Sequence, residues 1–163
     1  MEINMRIREF QGPDVDQVVC LFYDTVHSVN AVDYSTEQLN AWAPKKGIEE
    51  KLESWNKSLS NNVTYVAEIN GEIVGFSDMT HKGYLDRLYT HKDFQRQGVA
   101  TALVNKLESV ARKIKLTEIN TEASVTAKPF FEHRGYQIIR SQNVERKGII
   151  LNNYQMSKKL VAE

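Results

Sequence analysis

The chain has 163 residues, 41% of them hydrophobic and 26% charged, which are the proportions of an ordinary soluble globular protein rather than a disordered or membrane-embedded one. Lysine plus arginine and aspartate plus glutamate balance at 21 each, so no overall charge draws the chain to nucleic acid or to an anionic membrane. Cys20 is the lone cysteine and excludes an internal disulfide, no apolar run approaches the roughly 20 residues of a bilayer span, and no export signal is legible; one cytoplasmic domain over residues 1–163 is expected.

In chain order, residues 4–10 alternate, with Met5 and Ile7 on one face and Arg6 and Arg8 on the other, which predicts a first strand. Gly12-Pro13-Asp14 ends it. Val15, Val18, Val19, Phe22 and Val26 recur at helical spacing, Asp14 is suited to cap that helix, and Asp14, Asp16 and Asp24 read as a solvated face. Ser35-Thr36-Glu37-Gln38 has the form of a capping box and opens a short helix through Leu39 and Trp42, closed by Pro44. A further helix from Gly47 carries Ile48, Leu52, Trp55 and Leu59 on one side.

Two strand-like runs, residues 64–69 and 72–79, meet at Asn70-Gly71, a strong hairpin signal. After Gly83 comes an extended run over about residues 84–90, then a polar loop, then Gly98 and a helix striped by Val99, Leu103, Leu107, Val110 and Ile114. Residues 117–123 form the next extended run, and the long helix before it predicts a parallel strand-helix-strand unit, which places ligands at the carboxyl ends of its strands. A short helix over 127–134 with Pro129 in its first turn and two closing strands around Lys147-Gly148 complete the chain. The four histidines, His27, His81, His91 and His133, have no metal-ligand spacing, and no metal is expected.

Two stretches carry more specific information. Gln95-x-x-Gly98-x-Ala100 sits between a strand and a helix, where unpaired N–H groups and the positive end of the helix dipole favour an anion. Ala127-Lys128-Pro129-Phe130-Phe131-Glu132-His133-Arg134-Gly135-Tyr136 is the second. The first resembles the pyrophosphate loop, Gln/Arg-x-x-Gly-x-Gly/Ala, of the GNAT acyltransferases, and the second resembles that family's Ala-x-x-Phe-Tyr-Glu-x-x-Gly-Phe; the element order agrees along essentially the whole chain. Residues 27–34 with 39–44 look further like the YafP-like branch of N-acetyltransferases. The resemblance implies a mixed α/β fold with a mostly antiparallel sheet of about seven strands, one parallel pair splayed at the coenzyme A site, and helices on both faces.

It also implies acetyl-CoA as acyl donor and an acyl-CoA-dependent N-acetyltransferase acting on a primary amine of a small molecule or peptide. Backbone N–H groups from Arg96 through Thr101, with Gln95, Gln97, Gly98, Val99 and Ala100 in the same loop, would cradle the pyrophosphate. Leu88, Tyr89 and Thr90 would pair with pantetheine like another strand, and Ser124 and Phe131 would border it. Period-2 alternation puts Asp86, Leu88 and Thr90 on one strand face and Leu85, Arg87 and Tyr89 on the other, which makes Asp86 the leading candidate base. Glu122 on the parallel neighbour is a second acid to consider. His27 is a further candidate base, and with Tyr34 and Trp42 it would line the acceptor pocket.

At one position the chain departs from the family. Many members carry a tyrosine where this chain has Phe131, and its hydroxyl would protonate the departing thiolate. Tyr154, Tyr89, Ser124 or water would have to serve, or the thiolate would leave unaided, a thiol pKa near 8.5 making that tolerable. An acyl-CoA-binding sensor with little turnover is the alternative, and the protein is expected as a monomer or homodimer.

Overall fold

The structure, a computed structural model, describes residues 4–161; residues 1–3 and 162–163 of the expected single span lie outside the described residues. Seven strands form one sheet in the order β1-β2-β3-β4-β5-β7-β6: β1 Met5–Glu9, β2 Val63–Ile69, β3 Glu72–Met79, β4 Tyr84–Thr90, β5 Glu118–Ser124, β6 Gln137–Arg146 and β7 Ile149–Lys159. Every pairing is antiparallel except β4 with β5. The helices are α1 Val15–Ser28, α2 Thr36–Trp42, α3 Ile48–Asn61, α4 Val99–Lys113 and α5 Lys128–His133. Among the described residues no helix is long and apolar enough to cross a membrane.

The sheet separates two apolar layers. One holds Leu85, Val99, Leu103, Leu107, Phe131 and Met156 beneath α4 and α5. The other holds Val18, Phe22, Val26, Leu59, Phe76 and Leu151 beneath α1, α2 and α3. Helices therefore cover both faces, as amphipathic stripes on each side of a sheet require. Gly75 lets α4 lie against β3: a Cβ there would stand 2.6 Å from Val99 Cγ1 and 3.2 Å from both Leu103 Cδ1 and the Tyr89 carbonyl oxygen.

Several local expectations meet their physical reasons here. Ser35 accepts from the Gln38 N–H at 3.1 Å while Gln38 Oε1 accepts from the Ser35 N–H at 2.9 Å, a complete capping box for α2. Asp14, by contrast, does not cap α1 with its side chain and is not solvated. It is buried, its two oxygens accept from Arg8 at 2.8 and 2.9 Å, and one also takes the Gln11 N–H at 2.8 Å. The Arg8 guanidinium holds this carboxyl below its usual range. The α4 stripe is broader and shorter than the spacing predicts: Val104 and Ala111 are buried within it, and Ile114, 44% exposed, lies past the last helical turn.

The largest correction concerns β4. Its pairing with β3 runs regularly from Gly75↔Thr90 to Asp78↔Arg87 and then jumps to Met79↔Leu85, leaving Asp86 as the extra residue of a β-bulge. The alternation changes phase there. Leu85 faces the α4 layer together with Leu88, whereas Tyr89 joins Phe22 and Phe76 on the opposite side. Leu85, Arg87 and Tyr89 therefore do not share a face.

Candidate active site

The parallel pairing of β4 with β5 lasts only two rungs, Tyr84↔Asn120 and Leu85↔Thr121. The Asn120 N–H donates to the Gly83 carbonyl at 3.0 Å, and the Thr121 hydroxyl closes the last rung by donating to the Leu85 carbonyl at 2.7 Å. Beyond it the strands diverge. The His91 N–H donates to the Val74 carbonyl on β3 at 2.8 Å, so two-residue alternation turns the N–H groups of Leu88 and Thr90 away from β3 and into the gap. The gap therefore offers a strand edge with free donors, in the interior of a sheet.

A cleft of about 310 Å³ opens from this gap past the loop before α4. Leu88, Tyr89, Thr90, Gln95, Arg96 and Gly98 line it, as do Val99, Ala100, Thr101, Ser124 and Phe131. Gly98 is the N-cap of α4, has φ +83° and makes no side-chain cap bond, so the first-turn N–H groups face the cleft without a protein acceptor. A Cβ at Gly98 would meet nothing within 4 Å, so glycine is required there for its left-handed backbone rather than for close approach. Arg96 also holds a left-handed φ of +60°, a conformation that non-glycine residues adopt at some cost. The Gln95 side-chain amide donates to the Thr90 carbonyl at 2.6 Å and shapes the loop. Gln97 lines neither this cleft nor the next; its amide donates to the Asp93 carbonyl at 3.3 Å.

A second cleft of about 490 Å³ lies on the side of α1, α2 and α3, with Tyr34, Trp55, Lys51 and Arg87 in its wall. Trp42, Asp86, Tyr89, Glu122 and Ser124 line both clefts, so the two meet where β4 and β5 part. The bulge turns Asp86 toward this junction. Its side chain is 38% exposed and Oδ2 lies 3.5 Å from Arg87 Nη1, while Arg87 makes its closer contact, 2.6 Å, with the buried Asp78. Tyr84, in the second cleft, has its hydroxyl pushed up to about 12 by burial and by the nearby Glu122 and Asp86 charges. Burial also raises the Tyr89 hydroxyl, which makes it a poor proton donor at neutral pH.

The remaining expected residues fall as follows. Tyr34 stands in the second cleft, edge-on to Trp42 at 5.3 Å, but its hydroxyl is committed: it donates to the Asn152 carbonyl and accepts the Val125 N–H, both at 2.8 Å. His27 lines neither cleft; Nε2 is 2.8 Å from the Ala43 carbonyl and ties α1 to the residues after α2. Tyr154 also lines neither cleft, because its place opposite Ala123 on β7 points it into the α4 and α5 layer. Ser124 Oγ accepts the Ala127 N–H at 3.0 Å, which leaves its proton free to be donated. Among the described residues no group of His, Cys, Asp and Glu is placed to hold a metal ion.

Lys51, Arg146, Lys147 and Asn153 of the second cleft were not foreseen as site residues. They come from α3, the β6–β7 turn and β7, and only the sheet order brings them together. The one local signal in the sequence is Lys147 before Gly148, a lysine where a hairpin turn usually has asparagine or glycine, and the structure gives it φ +50°.

Comparison with known proteins agrees with this geometry. A family model described as an acetyltransferase (GNAT) domain matches residues 30–158. The chain is similar to the uncharacterized N-acetyltransferase YafP of Escherichia coli (strain K12), with 36% identity over 96% of this chain and 97% of that protein. The crystal structure of a GCN5-related N-acetyltransferase from Rhodopseudomonas palustris superposes with a TM-score of 0.90 at 29% identity, covering 98% of this chain and 99% of that one. The PaiA N-acetyltransferase of Thermoplasma acidophilum, solved in complex with coenzyme A, shares the fold with a TM-score of 0.74 at 17% identity, over 96% and 99% of the two chains.

Proposed function

The chain belongs to the GNAT family of N-acetyltransferases and is an acyltransferase, and from that premise we propose that it moves the acetyl group of acetyl-CoA onto a primary amine of a small molecule or peptide by direct attack in a ternary complex. The observation that carries this reading is the junction: two clefts on opposite sides of one sheet share Asp86 and Glu122 at the point where β4 and β5 separate. Coenzyme A enters by the first, its pyrophosphate on the N–H groups of residues 96–101 and its pantetheine in the gap beside Leu88 and Thr90. The acceptor enters by the second.

In the reaction the amine nitrogen forms a bond to the thioester carbonyl carbon, an N–H of the β4 edge steadies the oxyanion, and the C–S bond breaks. Asp86 takes the ammonium proton, directly or through water, with Glu122 beside it on β5. Phe131 has no proton for the leaving sulfur, so CoA departs as thiolate or takes a proton from water or the Ser124 hydroxyl. The proposed setting is cytoplasmic, as one domain in a monomer or homodimer, without metal, nucleic acid or membrane.

The test follows CoA thiol release from acetyl-CoA with a panel of amines, in the parent protein and in Asp86→Asn. A loss of about 10²-fold or more in kcat is expected from removing a general base, and an unchanged rate above pH 7 overturns the Asp86 assignment. Phe131 motivates a second reading, an acyl-CoA sensor, which saturable acetyl-CoA binding without turnover on any amine would favour.

A further inference from the structure

The second cleft carries an arrangement of charge that acetyl transfer alone does not require. Lys51, Arg87, Arg146 and Lys147 line it together with Asp86 and Glu122. Arg87 is spoken for by the buried Asp78, at 2.6 Å. Lys51, Arg146 and Lys147 make no ion pair among the described residues. Three cations without partners thus face two carboxylates in one small space, and a plain amine entering it as ammonium would meet repulsion at the rim.

Lys51 and Arg87 are held by aromatic rings, whereas Arg146 and Lys147 are exposed on a turn. The Lys51 ammonium lies 5.0 Å from the centre of the Trp55 ring and 5.1 Å from that of Phe22, and the Arg87 guanidinium lies 4.6 Å from the same Trp55 ring. Burial lowers the Lys51 pKa, and Arg87, Lys147 and Arg146 lower it further; a bound anion would relieve that repulsion. Arg146 and Lys147 sit at the β6–β7 turn, which projects past the carboxyl end of β5 because Ser124 already pairs with Asn153. That turn is tied down: Gln38 on α2 donates to the Ile150 carbonyl at 3.0 Å. Asn153, paired with Ser124, also lines the cleft, and its Oδ1 is buried without a hydrogen-bond partner. Coenzyme A does not account for these cations, since the loop proposed for its pyrophosphate lines the other cleft.

We propose that the acceptor is a primary amine that also carries an anionic group, a carboxylate or a phosphate, and that Lys51, Arg146 and Lys147 bind that anion while Asp86, Glu122 and Asn153 receive the amine. The inference rests on the acetyltransferase reading of the same site and narrows it to a substrate class. About 490 Å³ suits a molecule of amino-acid or amino-sugar-phosphate size.

The experiment measures kcat/KM for matched pairs: an amino acid and its amide, and phosphoethanolamine and ethanolamine. The ratio of the anionic to the neutral member is compared between the parent protein and the Arg146→Gln/Lys147→Gln and Lys51→Met variants, so that intrinsic amine reactivity cancels. The exposed turn variant keeps the comparison valid if the Lys51 variant fails to fold. At least one pair is expected to favour its anionic member, and in both variants its ratio should fall at least tenfold; which pair responds distinguishes carboxylate from phosphate. Ratios that the variants leave unchanged overturn the inference and leave acetyl transfer standing.

A second arm titrates the CoA-loaded protein calorimetrically with the acetylated anionic products and with acetylglycinamide. Anion-selective binding lost in the variants, with no turnover of any amine, sinks acetyl transfer and supports the anion site. Neither turnover nor anion-selective binding overturns both.

Discussion

Asp78 is fully buried on β3, with Oδ2 held by Arg87 and by the Asn62 amide at 2.9 Å and Oδ1 left without a partner. Burial raises its carboxyl from 3.8 to about 6, against the opposing pull of Arg87 and Asn62. The folded state therefore holds this proton more tightly than the unfolded one. The contribution to stability is full below pH 3.8 and is lost as pH rises through about 6, on the order of 3 kcal/mol in all. Asp78→Asn, which has no charge to bury, should gain in Tm relative to the parent between pH 4 and pH 7 when both are followed by calorimetry; a gain that shrinks over that range would mean that Arg87 outweighs burial. At this scale the sequence displays residue types but not partners. Asp14 looks like a cap because nothing local announces that the turn after β1 returns it to Arg8, and Asp78 attracts no notice because its burial depends on α3 and β4.

At the scale of elements, helix α4 must stand close to β3 for its N-terminus to reach the cleft, and Gly75 sets that distance. Gly75→Ala should cost about 1–3 kcal/mol by overpacking, and the shifted helix should weaken coenzyme A binding at least several-fold; thermal unfolding and calorimetric titration check the two effects. Gly98→Ala acts differently, since space is open there but φ is +83°. It should cost about 1 kcal/mol and weaken coenzyme A through the loop's backbone. A variant that loses stability with unchanged affinity would show that the loop tolerates a relaxed turn. Elements were the most legible level. Asn70-Gly71, Lys147-Gly148 and the Ser35 capping box specify their turns and cap through local chemistry, and the structure has each of them. The phase of β4 was not legible, because a bulge depends on how β3 pairs with it and leaves no mark in the residues themselves.

Across the whole molecule, the sheet consists of two antiparallel parts, β1 to β4 and β5 to β7, that meet over two rungs of β4 and β5. Coenzyme A lying in the gap would supply contacts to both sides. At 100 times its Kd it should add about 2.7 kcal/mol, a rise of roughly 5–10 °C in Tm for a chain of this size. Hydrogen exchange should show new protection at the Leu88 and Thr90 amides together with residues 96–101. Protection confined to the loop would place pantetheine elsewhere. The parallel unit could be read from the long helix between two strands. The second cleft could not, since Lys51, Arg87 and Arg146 converge only after β7 inserts between β5 and β6.

The extra residue in β4 makes that strand behave like a text read two letters at a time. Replacing Asp86 by another amino acid alters one letter and leaves Arg87 and Tyr89 facing the second cleft. Deleting it strikes out the surplus letter and restores the rhythm: Leu85 already pairs with Met79 and Arg87 with Asp78, so Leu88 and Tyr89 would keep their faces while the bulge disappeared. Removing Asp86 and substituting it are therefore different experiments, because deletion takes away the carboxylate and the bend together, and only substitution reports on the carboxylate.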